Sequence, residues 1–270
     1  MEQQYYPCEN SSDYAFIYML GPDAHGPLVK AGVNYLHQFD CNVLALAFEM
    51  HEIELKQFQC AIDYLKEKNQ THIGIVGGSA TAMLALVAAS YYPQITMTIA
   101  FTPCDFVMEG YVRENRVEIP TGTSIIKGLD YLPYAYRHPQ YMEELKREAK
   151  AGKNVVASKG MFEKSEQHLQ ESMMIRVENI QGTLVCVGAE DDCLWNTVHY
   201  IQRMKDRRPS TYAYTYTYGT HFLFPQSMMN GLVTLLFASG RKHYRQCKQN
   251  RIDVESKMKH HIQQWKYAVN

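Results

Sequence analysis

Short apolar runs alternate along this chain with longer segments whose apolar residues recur at helical spacing, the pattern of a mostly parallel sheet covered by helices on both faces. Ala15 to Leu20 predicts a buried strand that runs into Gly21 to Pro27, a segment too rich in glycine and proline to be anything but loop. A helix through about Cys41 follows, then a second strand at Asn42–Phe48. Leu55, Phe58, Ile62 and Leu65 mark one face of an amphipathic helix. Ile73–Val76 predicts a third strand, ending in Gly77-Gly78-Ser79-Ala80-Thr81. Beyond it, Ala82 to Ala89 is apolar all round, as a helix buried on every side must be. Ile95 to Phe101 reads as a fourth strand. Roughly 80 residues then pass without a strand signal, through Pro120, Gly122, Gly128, Pro133 and Pro139 and a charged helical stretch. Within them, residues 104–175 are expected to form an inserted cap or lid. The sheet resumes at Thr183–Gly188 and at Thr211–Tyr218, and a long helix over about 226–268 closes what is expected to be one domain, 1–270.

Composition narrows the class. No run approaches the roughly 20 apolar residues of a membrane-spanning helix. The start, Met1 to Cys8, is acidic and polar where an export signal would be basic and then apolar, so a cytoplasmic protein is expected. The seven cysteines show neither Cys-x-x-Cys nor His/Cys spacing, which predicts free thiols and no zinc site. With 27 basic and 28 acidic side chains, the overall field gives no argument for nucleic acid. Residues 241–270 hold eight Lys/Arg against Asp253 and Glu255. Such a run is ordinarily the solvated face of a terminal helix; the sharper reading is attraction of coenzyme A phosphates.

A serine hydroxyl becomes a useful nucleophile only when it is exposed, paired with a base, and surrounded by amide donors. Strand, Gly-x-Ser and helix together form the nucleophile elbow of α/β-hydrolases, which sets Ser79 at a helix start, although Thr81 stands where a glycine is usual. A Gly-Gly-Ser also begins ordinary capped helices, so chain order carries the weight. That fold requires an acid after a later strand and a histidine after the last. Glu190-Asp191-Asp192 follows the strand ending at Gly188, and Gly219-Thr220-His221 follows the one ending near Tyr218. His221 is then the base, oriented by Asp191 or Asp192. The Ala80 amide is one expected oxyanion donor. Pro22 has no amide hydrogen, so the second falls to Asp23, Ala24 or His25, with Asp23 the leading candidate. His25 either lines the pocket or is a solvated loop residue. His51, His72, His199, His243, His260 and His261 show no partner pattern.

Over about residues 15–240 the chain resembles the C-terminal domain family of acyl-CoA thioesterases and bile acid-CoA:amino acid N-acyltransferases, and more distantly dienelactone hydrolases. The resemblance rests on Ile53-Glu54-Leu55 through Leu65, on Ile75-Val76-Gly77-Gly78-Ser79, on Gly188 to Trp195 and on Tyr218-Gly219-Thr220-His221. It implies an α/β-hydrolase fold and an acyl-enzyme formed from a thioester or ester. The family places its acid three residues before the tryptophan, which selects Asp192; counting from Gly188 selects Asp191, and Asp192 is the expected acid with Asp191 the alternative. Serine as nucleophile accompanies hydrolysis there, and cysteine accompanies transfer to an amino acid. A β-sandwich domain ahead of residue 15, found in the animal enzymes, is not expected. The chemistry requires neither metal nor organic cofactor, and coenzyme A would belong to the substrate. The expected partner is a small acyl ester or thioester, with no nucleic acid and no membrane, and the chain is open to homo-oligomer formation. Two further readings use the same cleft: a non-catalytic homologue that binds a ligand or protein, and a peptidase or lactone hydrolase.

Overall fold

The computed structural model describes residues 1–114, 117–134 and 139–267. Seven strands form the main sheet in the order β1-β3-β2-β4-β5-β8-β9. They are β1 (Glu2–Tyr6), β2 (Tyr14–Met19), β3 (Asn42–Ala47), β4 (His72–Gly78), β5 (Ile95–Phe101), β8 (Thr183–Ala189) and β9 (Tyr212–Tyr216). All neighbours run parallel except β1, which pairs antiparallel with β3, Glu2 opposite Ala47 and Tyr6 opposite Val43. Every residue of β2 and β3 is buried, because helices cover both faces of a parallel sheet. Alternation along β2 divides the core: Ala15, Ile17 and Met19 enter one apolar cluster, while Tyr14, Phe16 and Tyr18 enter the other.

The first cluster is completed by α2 (Lys56–Glu67), α3 (Ala80–Tyr91) and α6 (Thr197–Arg207), and the second by α1 (Pro27–His37) and α8 (Tyr244–Tyr267). After β2 the chain crosses through α1 to β3, then returns through α2 to β4 on the other side of β2. Strand order reverses there, and ligands of open α/β sheets bind in the crevice at the carboxyl ends of such a pair. Ser79 follows β4 at that position. α1 ends at His37, earlier than the expected Cys41, because Asp40 turns the chain with a positive φ of 50°.

Three parts of the chain depart from the sequence expectation. β1 was not expected at all; it is a short polar edge strand whose exposed residues carry no alternating apolar signal. The insertion between β5 and β8 is not strandless. It holds a hairpin, β6 (Glu109–Glu114) with β7 (Val117–Ser124), antiparallel and shifted in register between Glu109 and Tyr111. Gly110, Pro120 and Gly122 interrupt the strand pattern, and a two-stranded ribbon tolerates them because it has edges on both sides. The insertion also carries α4 (Pro139–Ala151) and α5 (Lys159–Ser165). Finally, the closing helix does not span 226–268. Residues 231–236 form a 3-10 helix and Ala238–Lys242 a short α7, and α8 starts only at Tyr244; position 268 lies outside the described residues. The apolar stripe of α8, Cys247, Val254, Met258, Ile262 and Trp265, begins where that helix does. Upstream, Gly231 and Gly240 break the pattern, and a Cβ at Gly240 would lie 1.9 Å from the Thr234 carbonyl oxygen.

Candidate active site

The turn from β4 to α3 is sharp enough that only small residues can precede it. A Cβ on Gly77 would lie 2.1 Å from the Thr81 carbonyl oxygen, and one on Gly78 would meet Leu20 and Phe224 at 2.5 Å. Ser79 occupies the turn with φ 59° and ψ −130°. This conformation costs a non-glycine residue about 1–3 kcal/mol and persists only where the surroundings impose it. Its amide donates to the Phe101 carbonyl at 2.9 Å, tying the turn to the end of β5. Thr81 is part of this restraint. Its hydroxyl accepts from the Gly78 amide at 3.0 Å and lies within donating distance of the Met19 and Gly78 carbonyls. The residue that departs from the usual glycine thus binds the elbow to the end of β2 through its hydroxyl.

His221 leaves the loop after β9 and reaches Ser79: its Nε2 lies 2.8 Å from the serine Oγ. Its Nδ1 lies 2.8 Å from Asp192 Oδ2, and both the imidazole and the carboxylate are buried. Asp192 is itself held. It accepts from the Leu194 amide at 2.9 Å through Oδ1 and from the Thr197 hydroxyl at 2.5 Å through Oδ2. Trp195 packs edge-on against His221, centroids 4.9 Å apart, and donates its indole N–H to the Thr102 carbonyl. The structure therefore brings Ser79, His221 and Asp192 together at the carboxyl rim of the sheet.

Asp191 faces elsewhere. It accepts from the Gly219 and Thr220 amides at 2.8 and 2.7 Å and from the Ser239 hydroxyl at 2.6 Å. It therefore holds the turn that presents His221, in which Thr220 has a positive φ of 58°. Beside it, burial pushes the Cys193 thiol up to about 12, so this sulfur stays protonated at neutral pH.

Ala80 lines the same cavity as Ser79. As the first residue of α3, its amide has no acceptor inside the helix. The loop after β2 is arranged differently from expectation. The Ala24 amide donates to Glu2 and the His25 amide to the Asp23 carboxylate, which also accepts from Gly26. His25 turns its ring toward Glu2, 2.9 Å away and largely exposed, so it belongs to the β1 side and not to the pocket. Asp23, the expected second oxyanion donor, does not line the cavity, and neither does any other residue of 21–26.

The cavity holds about 530 Å³. Ser79, Ala80, Leu194 and Trp195 reach it from the sheet side, and the insertion supplies the rest, with Tyr111 from the hairpin, Leu145 from α4 and Phe162 from α5 among them. Its wall is mainly aliphatic, aromatic and methionine side chains, with Arg113, Glu118 and Lys146 as the charges. Arg113 and Glu118 pair at 2.6 Å, and Lys146 pairs with Glu143 at 2.9 Å, so both cations have carboxylate partners. Underneath, the insertion is anchored to α6. Arg203 forks onto the fully buried Asp105 at 2.9 and 2.5 Å and reaches Glu166 at 2.9 Å, which also accepts from Tyr200. Burial raises the Asp105 pKa, opposed by Arg203. Thr197, Ser239 and Arg203 had no pattern in the sequence that could have marked them, since each acts through a contact made only in the fold.

Comparison with solved structures places the fold. The esterase Pf2001 of Pyrococcus furiosus superposes with a TM-score of 0.50 at 13% identity, over 96% of this chain and 90% of that one. A lipase-esterase related protein from Clostridium acetobutylicum gives 0.46 at 15% identity, over 83% and 93%. Est1E from Butyrivibrio proteoclasticus gives 0.47 at 12%, over 90% and 93%. Comparison with curated protein sequences found no match. Among the described residues no helix is long and apolar enough to cross a membrane. Residues 53–225, which carry the elbow, the acidic turn and the histidine loop, match the family described as BAAT / acyl-CoA thioester hydrolase C terminal; this chain, with its α/β-hydrolase fold, belongs to that family.

Proposed function

We propose that this protein is a serine hydrolase that cleaves an acyl thioester or carboxylic ester, with Ser79 as nucleophile, His221 as general base and Asp192 as the orienting acid. The observation that carries the reading is the continuous chain from Ser79 Oγ to His221 Nε2 and from His221 Nδ1 to Asp192 Oδ2, 2.8 Å at each link. As Ser79 Oγ attacks the carbonyl carbon, its proton passes to His221 Nε2, and Asp192 stabilises the resulting imidazolium. The Ala80 amide, at the start of α3 beside Ser79, serves the developing oxyanion. Collapse of the tetrahedral intermediate expels the alcohol or thiol, which takes the proton from His221. Water then enters by the same base, releases the carboxylic acid and restores the serine. Burial of His221 and Asp192 supports the role, because the pair acts strongly only where water is excluded.

The wall contributed by the insertion supports an acyl group of apolar character, since among the described lining residues both cations, Arg113 and Lys146, have carboxylate partners. Serine at the elbow favours hydrolysis over transfer to an amine. The seven free cysteines, four of them buried as small apolar groups, support a reducing, cytoplasmic setting. A panel of p-nitrophenyl esters, acyl-CoAs and aminoacyl amides tests the proposal. Turnover of esters or thioesters that Ser79→Ala abolishes is expected. Cleavage of amides alone would move the assignment to a peptidase, and no turnover on any substrate would leave a binding protein.

A further inference from the structure

The mouth of the cavity is marked by residues that line it and yet face solvent. Val155 and Val156 do both, and Val155 is 65% exposed. The Val155 amide donates to the Leu236 carbonyl at 3.1 Å, which sets this segment against the 3-10 helix of residues 231–236. In that helix residues three apart eclipse, so Leu232 and Leu235 stand on one face. Leu232 is 57% exposed, and Leu235 and Leu236 are exposed beside it. Five aliphatic side chains thus form one apolar patch continuous with the cavity mouth. Natural surfaces rarely leave such patches without a binding role.

The charged residues carried by the two segments themselves and by the short helix α7 are cations. Arg241 donates to the Leu235 and Lys153 carbonyls, clamping the two segments together and placing its guanidinium at their seam. Lys153 and Lys242, close in sequence to these segments, are exposed. Residues 231–252 contain no Asp or Glu. An apolar patch edged by cations complements an anionic lipid surface, where aliphatic side chains enter the acyl boundary and lysines meet the headgroups.

We infer that the face formed by Val155, Val156, Leu232, Leu235 and Leu236 docks this protein reversibly on anionic lipid surfaces, with the cavity mouth against the lipid. The protein lies on the surface and does not span it. The further consequence, that apolar substrate enters Ser79's cavity directly from the lipid, rests on the function proposed above; the docking itself does not.

Co-sedimentation of the Ser79→Ala protein with vesicles of phosphatidylcholine alone and of phosphatidylcholine with phosphatidylserine tests the docking without requiring activity. Binding is expected to the anionic vesicles only and to fall as salt is raised. Leu232→Asp with Leu235→Asp should weaken it by about tenfold or more, as loss of two inserted leucines implies. Lys153→Glu with Lys242→Glu should weaken it by about fivefold for each cation removed. Unchanged thermal unfolding midpoints will show that these surface variants remain folded. Absence of binding to anionic vesicles, or binding that neither double variant alters, would overturn the inference. So would sedimentation velocity showing that the patch instead joins two copies of the chain, with dimer lost in the leucine variant and vesicle binding absent.

Discussion

Ser79, His221 and Asp192 stand on a rim fixed by backbone, whereas the cavity they face is walled by side chains of an insertion held by apolar packing together with a few polar anchors. At the rim, Gly77, the Thr81 hydroxyl and the Asp191 carboxylate each hold a main-chain turn. The insertion between β5 and β8 leans on Asp105, Glu166 and Arg203 and on a hairpin with edges on both sides. In the proposed function, rim geometry decides whether a carbonyl is attacked at all, and the insertion decides which acyl group reaches it. The two regions should therefore fail in different ways when altered.

The largest expected effect separates two adjacent acids. Asp192→Asn should lower kcat by about three to four orders of magnitude with little change in fold, because it removes the acceptor of the His221 Nδ1 proton. Asp191→Asn should act through the loop instead, lowering stability and activity together, since its carboxylate accepts from two amides and a hydroxyl. Steady-state kinetics beside urea unfolding distinguishes them, and identical profiles would dissolve the distinction.

Next comes the anchor of the insertion. Asp105→Ala leaves the Arg203 guanidinium without its main acceptor and should cost about 3–5 kcal/mol in unfolding free energy, the range for removing one partner of a buried pair. Measured by denaturant titration, a loss below about 1 kcal/mol would mean that packing alone holds the insertion. A milder change at the wall, Phe162→Ala, should raise KM for long acyl esters more than for acetate esters while leaving kcat for acetate esters nearly unchanged. Equal effects across chain lengths would remove the insertion from substrate choice.

The smallest effect lies far from both regions. His261 is buried against Tyr212 and Tyr214, and burial, with His260 and Lys257, pushes its pKa from 6.5 down to about 4. As pH falls, the unfolded chain takes this proton first, so stability present above about pH 6.5 is lost between there and about pH 4. His261→Gln should flatten that part of the stability profile, measured as urea midpoints at about pH 7 and about pH 5. An unchanged slope would assign it to other groups.

The contrast between rim and insertion also explains what the sequence made legible. Strands buried on both faces must be apolar throughout, so β2 to β5 and β8 stand out as runs, with Ser79 at the end of β4; His221 follows β9, a half-exposed strand marked instead by alternating tyrosines. The elbow needs Gly77 and Gly78 for steric reasons that are written in the residues themselves. Chain order alone does not choose between Asp191 and Asp192, because both follow β8; the spacing to Trp195 in the resembled family favours Asp192, and the contacts of Asp191 with the Gly219 and Thr220 amides exist only in the fold. The β6–β7 hairpin was hidden by Gly110, Pro120 and Gly122, and β1 by its polar edge position. The segment before Tyr244 looked helical because its apolar residues are locally spaced like one, yet Leu232, Leu235 and Leu236 face solvent. Thr81 departs from the glycine usual in the motif, and its hydroxyl bonds are invisible in a pattern of residue sizes.

The central claim is that one serine hydroxyl is activated by a histidine 142 positions further along the chain. Treating the protein with a fluorophosphonate probe and locating the adduct by peptide mass spectrometry tests it most directly. The adduct should lie on Ser79, vanish in Ser79→Ala, and form orders of magnitude more slowly in His221→Ala. Labelling at another residue, or at Ser79 with the same rate when His221 is replaced, would contradict the account.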